Sequence, residues 1–556
     1  MKEAFRKSGK VALLSAIFLL PLLGKTYLLE AAEAYSAEIA REMLVSGDYI
    51  RPRFDFLPAW DRLPLLPWIQ ACCIWLFGPG AFAVRLPNAV CGILTMVLLY
   101  KLGTRLYSHR FGTLWVAAFL SGLLPLFLFR SGMEAAWSGL LIFLGLVHLI
   151  FFYWKGMGSG FSLRWPVSWY LYSGGAFVGL AALLRGPEAV ILPVIVLGVY
   201  WLYKNLRFYI SVQQFFLFFS LAAIGPLIWL SIDGILNGPD AFIAIPAAQW
   251  HLYAVAPEGR GQFWGFYLIT FALGCFPASL FAIQALQARP SEIREKEHPE
   301  SFEQKDFRRW MKMLFWTTLI FFTLRSTKTP FDAFAAFFPL SFLSAWAVHQ
   351  ILEKRQMFER WLQIAIIATA GTFSVLTVLW ALTGYPAGIA FLGMGKLSGI
   401  STAAPRPVGL SGTLPGAVLI VLGLIGWRYF RQGAAEDAFR WLFAAFAAFS
   451  LLASVTLLPV TVRNTTGAAI EFALSKSGED CYLLPFRFEA PGLLFYSGKS
   501  ATAHPSSSKE DWLLFGEADK PVYIIARNQD AGLLSGYAHI EELYRKDDYV
   551  FFRRLF

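Results

Sequence analysis

The residues that could do chemistry begin at position 30, in the stretch EAAEAYSAEIAREMLVSGDYIRPRFDF. A carboxylate can accept a proton from a hydroxyl group and so act as a general base. Glu30 and Glu33 are three residues apart, so both lie on roughly one face of a helix. Arg62 follows in DRLPLLPWIQ, and a guanidinium can bind phosphate oxygens through two parallel hydrogen bonds. The stretch therefore offers proton transfer beside anion binding, although an acidic helix can also be a solvated face only.

The elements that must position these residues are membrane-spanning helices. Only 15% of the 556 residues are charged, whereas a soluble protein of this length carries about 25%. Apolar stretches long enough to cross ~30 Å of hydrocarbon recur along most of the chain. We predict thirteen spans, at 11–29, 83–100, 112–129, 135–153, 168–184, 188–203, 213–231, 264–285, 313–324, 333–351, 361–382, 414–427 and 438–459.

The distribution of Lys and Arg supports this topology and sets its direction. With the N-terminal MKEAFRKSGK in the cytoplasm, every second connection should be basic. Six connections are rich in Lys and Arg, namely 101–110, 154–164, 204–207, 286–312, 353–360 and 428–432. The alternate connections hold only isolated cations, which are Arg130, Arg185, Arg260, Arg325 and Lys328. The C-terminus is therefore predicted to be external. The net charge of +11 indicates loops that face an anionic leaflet, and it implies no nucleic-acid partner.

The predicted transmembrane domain covers 1–459, with an uncleaved first span. Its first external loop, 30–82, should hold two amphipathic helices at 31–46 and 63–78 that lie in the membrane interface. The cytoplasmic loop 286–312 is highly charged, which is typical of a solvated linker with some helix.

The predicted tail, 460–556, has a different composition. Short β-prone runs such as CYLLPF and PVYIIAR are separated by Gly, Pro, Asp and Ser. Helices are expected at 464–477 and 528–545. The tail should therefore be a small external α/β domain.

Six motifs resemble one known family in the same order along the chain. They are AEAYSAEIAREMLVSGDY (32–49), DRLPLLPWIQ (61–70), RLPNAV (85–90), RSGME (130–134), RGPEAVILP (185–193) and RSTKTP (325–330). The family is that of GT-C membrane glycosyltransferases, in the branch of the dolichyl-phosphate-mannose protein mannosyltransferases and the bacterial aminoarabinose transferases of lipid A. The resemblance implies a polytopic α-helical GT-C fold with about thirteen transmembrane helices. It also implies an external α/β domain at the C-terminus.

The resemblance implies catalytic roles for three acidic residues. The family's catalytic Asp–Glu pair falls on Ala32 and Glu33, so the Asp is absent here. Glu33 is the expected base, and Glu30, one helical turn away, is the alternative. The family's second acidic position falls on Glu134, which could equally form a structural ion pair with Arg130.

The resemblance also implies a set of groups that bind the donor phosphate. The family's acid–Lys pair, which holds the phosphate or a metal beside it, falls on Asp61 and Arg62. Later basic positions fall on Arg185 and Lys328, and Arg130 belongs to the same set. Arg62 could alternatively be a simple interfacial anchor.

One metal site is conceivable from the sequence. Asp61 and His251 could bind a divalent ion, although a lone His in such a loop is more often only hydrogen-bonded. No other cofactor is implied.

The expected activity is transfer of a sugar from a polyprenyl (undecaprenyl) phosphate to a lipid, glycan or protein acceptor at the external face of a bacterial inner membrane. Such an enzyme needs a carboxylate that deprotonates the acceptor and cations that stabilise the departing phosphate. Two rival functions stay open. A lipid-linked-sugar transporter would need broken helices with intramembrane charge, which the sequence does not indicate. A catalytically silent relative that only binds polyprenyl phosphate would explain Ala32.

Overall fold

A computed structural model of the chain describes residues 2–161, 164–207, 209–254, 264–287, 300–325, 328–354, 357–383, 409–499 and 509–555. Residues 288–299 of the predicted cytoplasmic loop and Arg260 lie outside these ranges.

The membrane domain consists of helices with a small hairpin in its first loop. The helices are α1 Lys2–Leu19, α2 Tyr35–Ser46, α3 Leu65–Phe77, α4 Ala81–Leu106, α5 His109–Ser121, α6 Leu123–Phe129, α7 Ala135–Gly156, α8 Val167–Arg185, α9 Glu188–Tyr203, α10 Val212–Asn237, α11 Ala241–Ala254, α12 Phe266–Gly274, α13 Ala278–Gln287, α14 Phe302–Thr323, α15 Phe337–Leu352, α16 Arg360–Thr383, α17 Leu414–Arg431 and α18 Ala435–Val462. Short 3₁₀ turns, Phe334–Ala336 and Leu410–Thr413, precede α15 and α17.

Eight helices in the described ranges are long and apolar enough to cross a membrane, and ten if each of two bent pairs is one span. The predicted polytopic α-helical membrane fold is therefore confirmed. All thirteen predicted spans fall on helices or bent pairs. Three of these helices are not long and apolar enough by themselves to cross a membrane. Helix α9 has only 16 residues, whereas α1 and α14 begin with charged turns.

Two predicted spans differ most from the structure in their ends. The first helix stops at Leu19 instead of continuing to residue 29, because Pro21 has no N–H group to donate within a helix. Helix α14 begins at Phe302, inside the predicted cytoplasmic loop. Its start is capped by Ser301 and Gln304, whose side chains and backbone N–H groups bond each other reciprocally.

Two helix pairs are sharply bent, which the sequence did not indicate. Helices α5 and α6 meet at 82° beside Gly122, and α12 and α13 meet at 119° beside Pro277. No charged side chain lies at either break. The broken helices expected of a transporter are thus present, but the intramembrane charge that should accompany them at the breaks is not.

The first loop contains both predicted amphipathic helices. A turn of π-helix, Glu30–Ala34, leads into α2, and α3 follows. Between them lies a two-stranded hairpin, β1 Arg53–Phe54 and β2 Leu57–Pro58. Helix α3 packs on α2 and α4, so the loop forms a compact layer at one end of the bundle.

The tail folds into the predicted α/β domain. Helix α18 continues through a π-helical turn, Arg463–Gly467, so the predicted boundary near 460 lies inside one continuous helical segment. The remaining elements are α19 Ala468–Ser475, β3 Tyr482–Phe486, α20 Pro491–Ser497, α21 Glu510–Phe515, β4 Val522–Arg527, α22 Asn528–Leu534, β5 Ile540–Lys546 and β6 Tyr549–Arg554. We call Ala468–Arg554 the tail domain. The predicted helix 528–545 ends at Leu534, because the residues from Ile540 pair with β6 instead.

The tail sheet has the strand order β3-β4-β6-β5, with β3 and β4 parallel and the other pairs antiparallel. Successive side chains of β4 point to opposite faces, as strand geometry requires. Ile524 packs toward α21 and α22, whereas Ile525 packs toward α19. Helices therefore cover both faces of the sheet.

Candidate active site

Arg62 lies between two carboxylates at the start of α3. Its Nε is 3.4 Å from Asp61 Oδ2, and its Nη1 is 3.6 Å from Glu134 Oε1. Both distances are longer than a charge-assisted hydrogen bond, which is about 2.7–2.9 Å. The buried Nε of Arg62 has no hydrogen-bond partner in the described part of the chain. The guanidinium thus makes no short hydrogen bond to either carboxylate, and its exposed part can donate to another anion.

Tyr35 fixes the position of this pair. Its hydroxyl donates to Asp61 Oδ1 at 3.1 Å, and the Arg62 guanidinium lies 4.8 Å above its ring. Phe54 of the hairpin stacks on the Tyr35 ring, with centroids 4.4 Å apart. Gln249 of α11 donates to the backbone carbonyl of Asp61 at 3.0 Å. Helix α2, the hairpin and α11 therefore jointly position Asp61 and Arg62.

The cluster is charged and open to solvent. The side chains of Asp61, Arg62 and Glu134 are 35%, 29% and 24% exposed. Burial lowers the pKa of Arg62, but Glu134, Asp61 and Tyr35 outweigh it and raise that pKa above its ordinary value. Arg62 therefore stays protonated beside both acids.

Glu134 begins α7 and is held by backbone contacts. Asn88 of α4 donates to the carbonyls of Ser131 and Met133, at 2.5 and 2.7 Å, which fixes the preceding turn. The Glu134 carboxylate forms the long ion pair with Arg62 and accepts no hydrogen bond from the described residues. It is a positioned carboxylate that is free to accept a proton.

A second charged network lies deeper. Arg185 donates to Asp332 at 2.7 Å and lies 3.6 Å from Glu188, and Arg325 donates to Glu188 at 2.8 Å. Burial raises the pKa of Asp332, but Arg325 and Arg185 outweigh it and hold that pKa below its ordinary value. Arg185 is close enough to Arg62 to interact with it electrostatically. The network therefore continues the Arg62 cluster inward.

Glu33, the predicted base, is engaged elsewhere. It is fully buried and forms a bidentate ion pair with Arg85 of α4, at 2.6 and 3.0 Å. It also accepts from the N–H groups of Leu29 and Gly132, at 2.9 and 2.6 Å. Since Gly132 belongs to the turn before Glu134, Glu33 helps to hold that turn. Its role as the base stays a prediction, and the backbone of Ala32 lies in the same π-helical turn.

Glu30 and Arg130 also have partners outside the Arg62 cluster. Glu30 accepts from the N–H of Gly492 in the tail domain at 2.8 Å, and burial raises the pKa of Glu30 to about 7. Arg130 donates to the carbonyls of Phe18 and Leu19, the last residues of α1, and to that of Pro21 just after it. Arg130 and Glu134 therefore do not form the ion pair that the sequence left open.

Asp61 and His251, the two residues predicted to hold a metal, are not part of a larger cluster of metal-binding side chains in the described ranges. No three His, Cys, Asp or Glu side chains among the described residues lie close enough to hold a metal. The Asp61 carboxylate already contacts Tyr35 and Arg62, and His251 is exposed on α11, which is a helix instead of the expected loop. The divalent ion expected at Asp61 and His251 stays a prediction. Lys328 is half-buried in the segment that leads to Asp332.

A family model described as dolichyl-phosphate-mannose-protein mannosyltransferase matches residues 61–229. The undecaprenyl phosphate-α-4-amino-4-deoxy-L-arabinose arabinosyl transferase of Edwardsiella ictaluri (strain 93-146) is 26% identical over 66% of this chain and 65% of its own length. The enzyme of the same name from Erwinia tasmaniensis is 28% identical over 56% of this chain and 54% of its own length. The matches thus span less than two thirds of these relatives.

Two solved structures share the architecture. The ArnT of Cupriavidus metallidurans bound to undecaprenyl phosphate superposes with a TM-score of 0.75 at 16% identity, covering 98% of this chain and 97% of that one. The chain has the GT-C fold. The archaeal oligosaccharyltransferase AglB from Archaeoglobus fulgidus superposes with a TM-score of 0.52 at 11% identity, covering 95% and 70%. The resemblance to the GT-C aminoarabinose and protein mannosyl transferases, predicted from motifs, is confirmed.

Three residues of the candidate site were not singled out from the sequence. Glu188, Arg325 and Asp332 stand inside or beside the RGPE and RSTKTP motifs but received no role. A signal was available, because Glu188 begins an apolar helix and Arg325 follows another. Charges beside hydrocarbon are costly unless they are paired. Such residues indicate an ion-pair network at one end of the bundle.

Proposed function

We propose that the chain is a glycosyltransferase that moves a sugar from a polyprenyl phosphate to a hydroxyl group of a lipid, glycan or protein acceptor. The observation that carries this proposal is the partly exposed Arg62 guanidinium, which makes only long ion pairs with its two carboxylates. Beside it lies Glu134, whose carboxylate accepts no hydrogen bond from the described residues. Support comes from the relatives, which are named for an undecaprenyl phosphate-linked sugar, and from the similar ArnT, which holds undecaprenyl phosphate.

The residues would act in one displacement step. Glu134 takes the proton from the acceptor hydroxyl as its oxygen attacks the anomeric carbon of the sugar. The bond between that carbon and the phosphate oxygen breaks, and polyprenyl phosphate leaves with the electron pair. Arg62 donates to the phosphate oxygens as negative charge develops on them, and Arg185 adds positive potential from the deeper network. Tyr35 and Asp61 keep Arg62 in place.

The direct test is the product. Lipids and glycans from cells with and without the chain are compared by mass spectrometry, and one species should lose a sugar when the chain is absent. A catalytically silent relative, which Ala32 would explain, predicts no such loss although the purified chain binds undecaprenyl phosphate. A lipid-linked-sugar transporter predicts a donor that accumulates on one side of vesicles without transfer.

Arg62→Ala should weaken the binding of undecaprenyl phosphate by about 1.5–3 kcal/mol, the range for a hydrogen bond to a charged group. Arg62→Lys should recover part of this, because it restores the charge without the planar fork. Binding to the purified protein in lipid nanodiscs gives the measurement. Arg545→Ala is the control, since Arg545 lies on β5 of the tail domain and pairs with Glu542 at the surface. If Arg62→Ala binds as tightly as wild type, Arg62 does not hold the phosphate.

We also propose that the first loop and the tail domain face the outside of the membrane, where an external donor phosphate would lie. In a variant without the five native cysteines, Gln529→Cys should react with an impermeant thiol reagent added to intact cells. Gln432→Cys should not react, although both glutamines are exposed. Gln432 lies in a basic connection predicted to be cytoplasmic. If Gln432→Cys reacts and Gln529→Cys does not, the candidate active site faces the cytoplasm and this proposal is wrong.

A further inference from the structure

The hairpin of the first loop has an unusual turn. Strands β1 and β2 are joined by only two residues, Asp55 and Phe56, with φ of 53° and 60°. Two-residue hairpin loops of this shape favour Asn, Asp and Gly, because both central residues have positive φ. Phe is poorly suited to that conformation. Contacts outside the hairpin must therefore hold the turn.

Two such contacts are present. The N–H of Phe56 donates to Glu42 Oε2 of α2 at 2.9 Å. The carboxylate of Asp55 forms an ion pair with Lys499, which follows α20 in the tail domain. The two residues are 444 positions apart in the chain. The side chains of Lys499 and Asp55 are only 13% and 17% exposed, so the pair is shielded from solvent.

The hairpin in turn supports the active site. Phe54, the residue before the turn, stacks on Tyr35 at an interplanar angle of 16°. Tyr35 holds Asp61 by a hydrogen bond and Arg62 by its ring. An unbroken series of contacts therefore runs from Lys499 through Asp55, Phe54 and Tyr35 to Arg62.

We propose that Lys499 is a positioning residue for the active site, because it holds the strained Asp55–Phe56 turn and so places Tyr35 against Arg62. This inference rests on the proposed function. Lys499 does not anchor the tail by itself. Glu30 accepts from Gly492, and Tyr496 accepts from the N–H of Leu28. Loss of the Lys499 charge should therefore loosen the hairpin while the tail domain stays docked.

The test uses the full chain in nanodiscs and compares Lys499→Met with Lys520→Met. Lys520 pairs with Asp480 inside the tail at 2.7 Å and is the matched control. Lys499→Met should lower kcat/KM for sugar transfer roughly ten- to hundredfold, a cost typical of small misplacement of a catalytic group. It should also speed amide hydrogen exchange in residues 50–60. Lys520→Met should change neither quantity.

A second substitution separates positioning from general damage. Phe56→Gly places at the turn a residue that adopts positive φ freely. Added to Lys499→Met, it should restore slow exchange and most of the transfer rate. Unchanged exchange in Lys499→Met, or no recovery in the double variant, overturns the inference. If the wild-type chain transfers no sugar, the proposed function fails. Amide hydrogen exchange and undecaprenyl phosphate binding of Lys499→Met, each compared with wild type, then test the role of Lys499.

Discussion

Glu134→Gln should lower the rate of sugar transfer by about 10²- to 10⁴-fold, the usual contribution of a general base. Gln has almost the same shape as Glu but cannot accept a proton at neutral pH. Undecaprenyl phosphate should bind about as well as to wild type, because Glu134 contacts Arg62 only at 3.6 Å. Single-turnover transfer and lipid-phosphate binding, both on the purified protein, separate the two effects.

Asp61→Asn is the companion to this experiment. The Tyr35 hydroxyl donates a hydrogen bond to Asp61 at 3.1 Å. Because the side-chain oxygen of Asn can accept the same hydrogen bond, the loop should keep its shape. We expect a smaller rate loss than for Glu134→Gln. Should Glu134→Gln keep full turnover while Asp61→Asn loses it, the base is Asp61. Glu542→Gln, an exposed residue of the tail domain, controls for nonspecific effects.

The membrane fold could be predicted from the sequence because its signals are local. Hydrophobic length and the alternation of basic loops depend on residues close together in the chain. The bends beside Gly122 and Pro277 could not be predicted in the same way, since a continuous apolar run does not show where neighbouring helices force a turn. The strand that replaced the predicted end of the 528–545 helix also depends on a distant partner, β6.

The same distinction applies to the candidate site. Asp61 and Arg62 are neighbours in sequence, and one motif identifies both. The partner of Glu33 is 52 residues away, so the sequence could not show that this carboxylate is bonded to Arg85. The pairing of Arg185 with Asp332 spans 147 residues. Motif order identified candidate acids and cations, but tertiary contacts decide which of those acids accepts hydrogen bonds from other described residues.

These contacts change the meaning of Ala32. Because Ala32 stands where the similar family has an Asp, the first loop lacks one carboxylate. If Glu134 is the base, a proton acceptor still lies beside Arg62. Glu33 then acts through Glu134, because it accepts a hydrogen bond from the N–H of Gly132, two positions before Glu134. The hydrogen bond between Glu33 and Gly132 therefore joins the first loop to the turn that precedes α7.

Glu33→Gln should destabilise the folded protein by about 3–5 kcal/mol, the cost of removing one partner from a buried ion pair. Arg85 is only 3% exposed and would keep its charge without the carboxylate. An amide nitrogen would also face the N–H of Leu29, which donates to Glu33 at 2.9 Å. The thermal unfolding temperature in nanodiscs gives the measurement, with the exposed Glu479→Gln as control.

The double variant Glu33→Gln with Arg85→Met identifies the cause of that loss. Replacing both members of a buried ion pair by uncharged groups is often close to neutral, whereas removing one leaves a charge unpaired. The double variant should therefore unfold at a higher temperature than Glu33→Gln alone. If Glu33→Gln instead unfolds like wild type and still loses transfer, Glu33 is the base that the motif predicted. Glu134 would then be an acid that only accompanies Arg62.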